Sequence, residues 1–145
     1  MAVKHFRNRL EQALKTHLGD QAAGATAAVQ AMTFNIRSDG TSADVRPLCN
    51  IACLSATQIN TLGGYYRCEI ELDLLSALDN GQMESHNERV AWIEEQLFDH
   101  PTLLTGLNTA DDITVLSAYL DSETAEESDN DLEDQVTLVL IAHPF

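Results

Sequence analysis

Positive charge is scarce in this chain. Eight Lys and Arg stand against 23 Asp and Glu, a formal net charge of −15. Such a chain is repelled by nucleic acid at long range and keeps good solubility. Sequence-specific binding of nucleic acid is therefore not expected. Long apolar runs are missing too: none approaches the ~20 residues that span a bilayer, so no membrane partner is expected. The opening stretch MAVKHFRNRLEQ turns polar at once and lacks the apolar region of a secretory signal. Cysteines are few and odd in number, three, and without an export signal reduced thiols are the default.

Catalytic signatures are lacking as well. The sequence holds no G-x-S-x-G, no H-E-x-x-H and no Gly-rich phosphate loop. Gly63-Gly64 is an isolated pair, better explained as a turn. His5, His17, His86, His100 and His143 are scattered, and His5 and His17 stand too far apart on one helix to share a metal. Cys49 and Cys53 are four apart, ~13 Å along a strand, which is too far for two ligands of one zinc. Cys68 completes no second pair, and all three thiols are expected in the core. No metal and no cofactor are expected.

What is present is enough for one domain. The chain has 145 residues, 44% of them hydrophobic, with no repeat, linker or internal boundary. KHFRNRLEQALKTHL reads as an amphipathic helix: Phe6, Leu10, Leu14 and Leu18 form one stripe, and Gly19 suits its C-terminus. QAAGATAAV reads as a loop or a weak strand entry. AMTFNIRS alternates, with Met32, Phe34 and Ile36 on one face, and PLCNIACLSA is a second strand. Between them SDGTSAD is a loop, with Asp39-Gly40 as its turn signal.

The clearest strand is GGYYRCEIELDLLSAL. Tyr66, Cys68, Ile70, Leu72 and Leu74 point one way; Arg67, Glu69, Glu71 and Asp73 point the other. That is the pattern of an antiparallel sheet with one face on a core and one in water. DNGQ is its exit turn. Ser85-His86-Asn87-Glu88 fits a capping box with Ser85 as N-cap, and Val90, Ile93 and Leu97 make the stripe of a second helix. Pro101 breaks that helix, and PTLLTGLN adds one or two helical turns. DITVLSAYLD and EDQVTLVLIAHP are the last two strands. The expected fold is α+β in the order α-β-β-β-α-β-β: a mainly antiparallel sheet of about five strands, with two helices packed on one face.

Between the last two strands lies DSETAEESDNDLED, residues 121–134, with eight acids among fourteen residues and no base. An EF-hand begun at Asp129 fails, because position 6 is Asp134 instead of Gly and position 12 is Leu140 instead of Glu. A nucleic-acid mimic needs acids fixed on a rigid surface. The stretch is expected to be a solvated acidic loop at a hairpin tip that orders against a partner. The charge is also uneven: residues 1–46 carry six bases and four acids, and residues 47–145 two bases and nineteen acids. One end of a copy is thus suited to attract the other end of the next. Lys4, Arg7 and Arg9, the strand face of Arg67, Glu69, Glu71 and Asp73, and the loop acids Glu126, Glu127, Asp129 and Asp131 are the candidate subunit or partner interface. Carboxylates two apart, as in Glu69-Glu71-Asp73, also suit acid and base chemistry if their environments are unequal and partly buried.

The layout resembles the tail terminator and tail completion proteins of tailed bacteriophages. It rests on the N-terminal helix FRNRLEQALKTHL and the following small-residue loop. The alternating strand YYRCEIELDLLSA with Arg67 near its start comes next, then ESHNERVAWIEEQLFDHPTLLTGLN, then the closing strand DQVTLVLIAHP. The resemblance implies a structural virion protein without enzymatic activity. It implies a homo-oligomeric ring, commonly a hexamer, that caps the tail tube, ends its polymerisation and joins the tail to the head. The implied partners are further copies, the tail tube protein, the head-tail connector or neck protein, and a tail sheath if the tail is contractile. The implied location is the head-proximal end of the virion tail, after assembly in the host cytoplasm. A neck or adaptor protein is the close alternative. An acidic monomer that mimics DNA or inhibits a basic host protein is the alternative from another class.

Overall fold

A computed structural model describes residues 3–36, 45–59, 64–78, 82–98, 100–108, 113–127 and 131–143. The side chains of 3–5, 100 and 126–127 lie outside the description. The elements are α1 (Val3–Ala22), α2 (Ala27–Gln30), β1 (Thr33–Ile36), β2 (Leu48–Gln58), β3 (Tyr66–Ala77), α3 (Gln82–Phe98), α4 (His100–Leu107), β4 (Thr114–Glu127) and β5 (Asp131–His143). The α+β class is as expected, and the helical turns expected at PTLLTGLN form α4; α2 is an addition to the expected order, and three helices, α1, α3 and α4, instead of two supply the large core side chains.

The five strands form one sheet in the order β1-β2-β3-β5-β4. Three of its pairings are antiparallel, but β1 runs parallel to β2, so the sheet is mixed. Strand β3 sits at the centre, and its burial alternates residue by residue. Cys68, Ile70, Leu72 and Leu74 enter the core with Val136, Leu138 and Leu140 of β5. The α1 stripe of Phe6, Leu10, Leu14 and Leu18 closes on the same cluster, as do Val90, Ile93 and Leu97 of α3 and Leu103 and Leu107 of α4. The helices therefore cover one face of the sheet. Fully burying such an aliphatic side chain stabilises the fold by roughly 1.5–3 kcal/mol.

Several local expectations are corrected. Helix α1 does not stop at Gly19; it continues to Ala22, because Ala22 lies one turn beyond Leu18 and is also buried. Residues 27–30 form a turn of helix instead of a strand entry, since Ala favours helix over strand. Ser85 is no N-cap: α3 begins at Gln82, which draws His86 and Arg89 into the helix and aims them at the sheet. Pro101 sits in the first turn of α4, where its missing N–H costs nothing. The expected turns at Asp39-Gly40 and at residues 79–81 fall outside the described residues. Gly64 has φ +82°, which supports its turn role, and an added Cβ there would meet the His143 ring at 2.6 Å.

The acidic stretch is the largest correction. It is not a loop at 121–134: β4 runs on to Glu127 and β5 starts at Asp131. Strand β5 is paired on both sides over this length, with Asp134 opposite Leu74 of β3 and Ala125 of β4. Glu123, Glu126, Glu127, Asp131, Glu133 and Asp134 are thus carried on paired strand backbone.

Two glycines test the packing. A Cβ added to Gly19 would meet nothing within 4 Å, whereas one on Gly106 would lie 2.0 Å from His17 Nδ1. Gly19→Ala is expected to raise stability by about 0.5–1 kcal/mol through helix propensity. Gly106→Ala is expected to lower it by about 1–3 kcal/mol, because the α1–α4 contact must part. Urea unfolding of the two variants beside the parent checks both signs.

Candidate functional site

The uncovered face of the sheet is built by the outward residues of the strands. Cross-strand register sets its rows: Thr57, Arg67, Ile141 and Ser117; then Ser55, Glu69, Val139 and Tyr119; then Ala52, Glu71, Thr137 and Ser122; then Asn50, Asp73, Gln135 and Thr124. At one end Ile141, Val139 and Tyr119 stand among Arg67, Glu69, Thr57, Ser55 and Ser117, and the other end is polar to acidic. Arg67 Nη1 donates to Glu69 Oε1 at 2.6 Å, and Tyr119 stands in the neighbouring row. These groups shield Val139, which is fully buried although no helix covers it. Asn35 Nδ2 donates to Asn50 Oδ1 at 2.8 Å further along the face.

The expected carboxylate row is therefore present, and Glu69, Glu71 and Asp73 are half-buried on the open face as the alternation predicts. Their cross-strand neighbours are a serine, a threonine, amides and small apolar side chains, and Glu69 bonds Arg67. The geometry suits hydrogen bonding to a docked surface. Leu116 and Tyr119 on β4 and Leu54 on β2 are each more than 40% exposed.

The other candidate interface residues fare differently. Arg7 is half-buried and its Nη1 donates to Leu54 O at 3.3 Å. One turn along α1, Glu11 Oε2 accepts the Cys53 N–H at 2.7 Å. Strand β2 has a register shift between Cys53 and Ser55, so the ladder leaves backbone groups there without sheet partners. Arg7 and Glu11 together satisfy that bulge. Arg9 is half-buried and, like Lys15, engages a further group. Lys4 lies in α1 and Glu126 and Glu127 in β4, with side chains outside the description, and Asp129 is outside the described residues. Asp131 is held within the chain: Arg46 Nε donates to Oδ1 at 2.8 Å and Nη2 to Oδ2 at 3.2 Å. That bond keeps the Asp131 carboxyl below its ordinary pKa.

A buried polar chain lies beneath the helices. Arg89 Nη1 donates to Ser76 Oγ at 3.0 Å, Ser76 Oγ bonds His86 Nδ1 at 2.7 Å, and His86 Nε2 bonds Asp134 Oδ1 at 2.8 Å. Arg89 Nε also donates to Ala28 O at 2.8 Å. A neutral imidazole protonated at Nε2 lets each group in the row donate to the next, an assignment made from the network. Burial pushes the Arg89 pKa down. The residue types are those of a hydrolase triad, but Ser76 is 1% exposed and its oxygen already accepts from a guanidinium. The chain therefore ties α2, α3, β3 and β5 together. Sequence reasoning missed it, although a signal was there: Ser76 and Asp134 occupy core-facing positions on otherwise apolar strand faces.

Nearby, hydrogen bonding to the Glu94 carboxyl of α3, then burial and the charges of Glu94 and Asp134, raise the pKa of Glu123 on β4 to about 7. A cleft of about 430 Å³ opens between α1 and α4, lined by Thr16, His17, Asp20, Pro101, Thr105 and Gly106 among others. Among the described residues no three His, Cys, Asp or Glu are arranged to hold a metal ion, and no helix is long and apolar enough to cross a membrane. No protein-family model matches the chain, and no curated protein matches it.

Two outcomes follow. His86→Leu removes the middle of the chain and leaves Ser76 and Asp134 without it, a loss of roughly 2–4 kcal/mol in urea unfolding. For Glu123 the folded pKa lies above the unfolded value near 4.5, so its contribution is full below pH 4.5 and is lost as pH rises through about 7. Glu123→Gln should therefore flatten the fall in stability over that window. The side chain is exposed, so solvent screening holds the change below about 1 kcal/mol. Melting curves from pH 4.5 to 8 on both proteins measure it.

Proposed function

We propose that the protein is a structural component of a tailed-phage virion, a ring-forming tail terminator that closes the tail tube and joins it to the head side. The observation that carries this reading is the one-sided sheet. A central alternating strand, β3, bears Arg67, Glu69, Glu71 and Asp73 outward and leads directly into the helix pair α3–α4. That is the layout on which the resemblance rests. In this reading the uncovered face is the contact surface, toward a neighbouring copy or toward the connector, and the protein performs no reaction.

A second reading draws on one observation, the net charge of −15 with carboxylates set on rigid paired strands. In it the protein stays monomeric and binds a basic partner. Salt separates the two. Copies of an acidic chain repel one another, so salt screens the repulsion and favours a ring. A contact between an acidic monomer and a basic partner weakens in salt.

Light-scattering mass after size exclusion, at low and high protein concentration and at low and high salt, is the test. The ring reading expects a mass approaching six times 15.9 kDa, persisting or growing with salt. A monomer under every condition that also binds polylysine with steep salt sensitivity would overturn the free ring and favour the second reading.

A further inference from the structure

The two outer strands of the sheet are unequal: β1 has four residues and β4 fourteen. A long outer strand presents a row of backbone N–H and C=O groups on its outer side. Natural sheets blunt such rows with lysine, proline, bulges or a covering element. Strand β4 uses bulges in its first half, between Val115 and Ser117 and between Leu120 and Ser122. Beyond the second bulge, residues 122–127 pair without a shift against 137–132 of β5.

On this regular length the other devices are missing. Residues 113–127 contain no Lys, Arg or Pro. Residues 121–125 are exposed one after another, so neither face of the strand is covered there. Among the described residues no strand pairs with the outer edge, and no backbone hydrogen bond from outside the sheet reaches 121–127.

Charge then selects the occupant. Asp121, Glu123, Glu126 and Glu127 fall on this length, and in the register Glu126 already stands opposite Glu133 of β5, an acid opposite an acid. A second β4 laid against the first would join two acidic strands with no cation between them, which is unfavourable. A basic strand meets the opposite balance.

We propose that the outer edge of β4 at residues 122–127 receives an extended, lysine- or arginine-bearing segment of another protein as an added strand. The guest backbone bonds the outer N–H and C=O groups of β4, and its basic side chains meet the carboxylates of Asp121 and Glu123. The inference concerns the strand edge, not the open face, and stands whether the chain is a ring subunit or a monomer.

The probe is a capped peptide of about eight alternating lysines and threonines, long enough for one strand. It is titrated into the full chain at pH 7.5, above the Glu123 value of about 7. Calorimetry reads affinity, and amide hydrogen exchange by NMR reads location. The expected result is slowed exchange at those amides of 122–127 that do not bond β5. An analogue N-methylated at every residue keeps the charges and loses every backbone donor, and should bind about tenfold more weakly or worse. Asp121→Asn with Glu123→Gln, which leaves the backbone intact, should weaken the parent peptide roughly fivefold. Equal binding of the N-methylated analogue would reduce the contact to charge alone. Protection confined to other elements, or no binding of the parent peptide, would leave the edge without this guest. The same amides protected in the protein alone, and more so at higher concentration, would give the edge to a second copy. Each of these results overturns the proposal.

Discussion

A sheet that buries only one face sets the terms for this molecule. Every helix must lie on that face, and each polar group that the covered face carries needs a partner from a helix. The exceptions to the apolar core show the rule at work. Ser76 and Asp134 are core-facing on β3 and β5, and α3 answers with His86 and Arg89. The bulge in β2 exposes backbone groups toward α1, and α1 answers with Arg7 and Glu11. The helix layer is thus fixed in register by hydrogen bonds as well as by apolar burial. Slippage of α3 by one residue would strand several buried polar atoms at once.

How far the sequence revealed this depends on whether the signal is local. The α1 stripe and the β3 alternation were legible because each reports one element meeting one surface, at periods of 3.6 and 2. The acidic stretch misled because its composition is poor in β-forming residues. Its strand state comes from β5, which is paired on both edges and holds 121–127 in line as the outer strand. That information lies in distant residues. Gly19 and Ser85 misled for a related reason. Both are good helix punctuation taken alone, and both are overridden by buried groups further along, Ala22 in one case and His86 in the other. The carboxylate face was legible from β3. The roles of Arg7, Arg46 and Asp131 were not, because they depend on a bulge and on a contact 85 positions apart along the chain.

The fold also changes what the uneven charge means. The excess of bases before residue 47 suggested a basic surface on the first helix. In the folded chain Arg7 holds the β2 bulge, Arg46 grips Asp131 in a two-point contact, and Arg89 is buried in the polar chain. Arg67 on β3 is bonded to Glu69. These cations are structural fasteners, and the acids that face water are left in large excess.

Arg7 and Arg46, two of the bases before residue 47, are thus committed within the chain and contribute less to any attraction between opposite ends of successive copies. Two such molecules repel at distance, so any contact between copies would rest on short-range forces after the repulsion is screened. On the open face Tyr119 and Ile141 lie in the rows of Glu69 and Arg67, and Tyr119 and Leu116 of β4 are exposed. Aromatic and aliphatic groups there sit beside an arginine already ordered by its bond to Glu69, so a docking surface loses little side-chain freedom on contact. The acidic remainder of the face penalises other anionic surfaces, nucleic acid included.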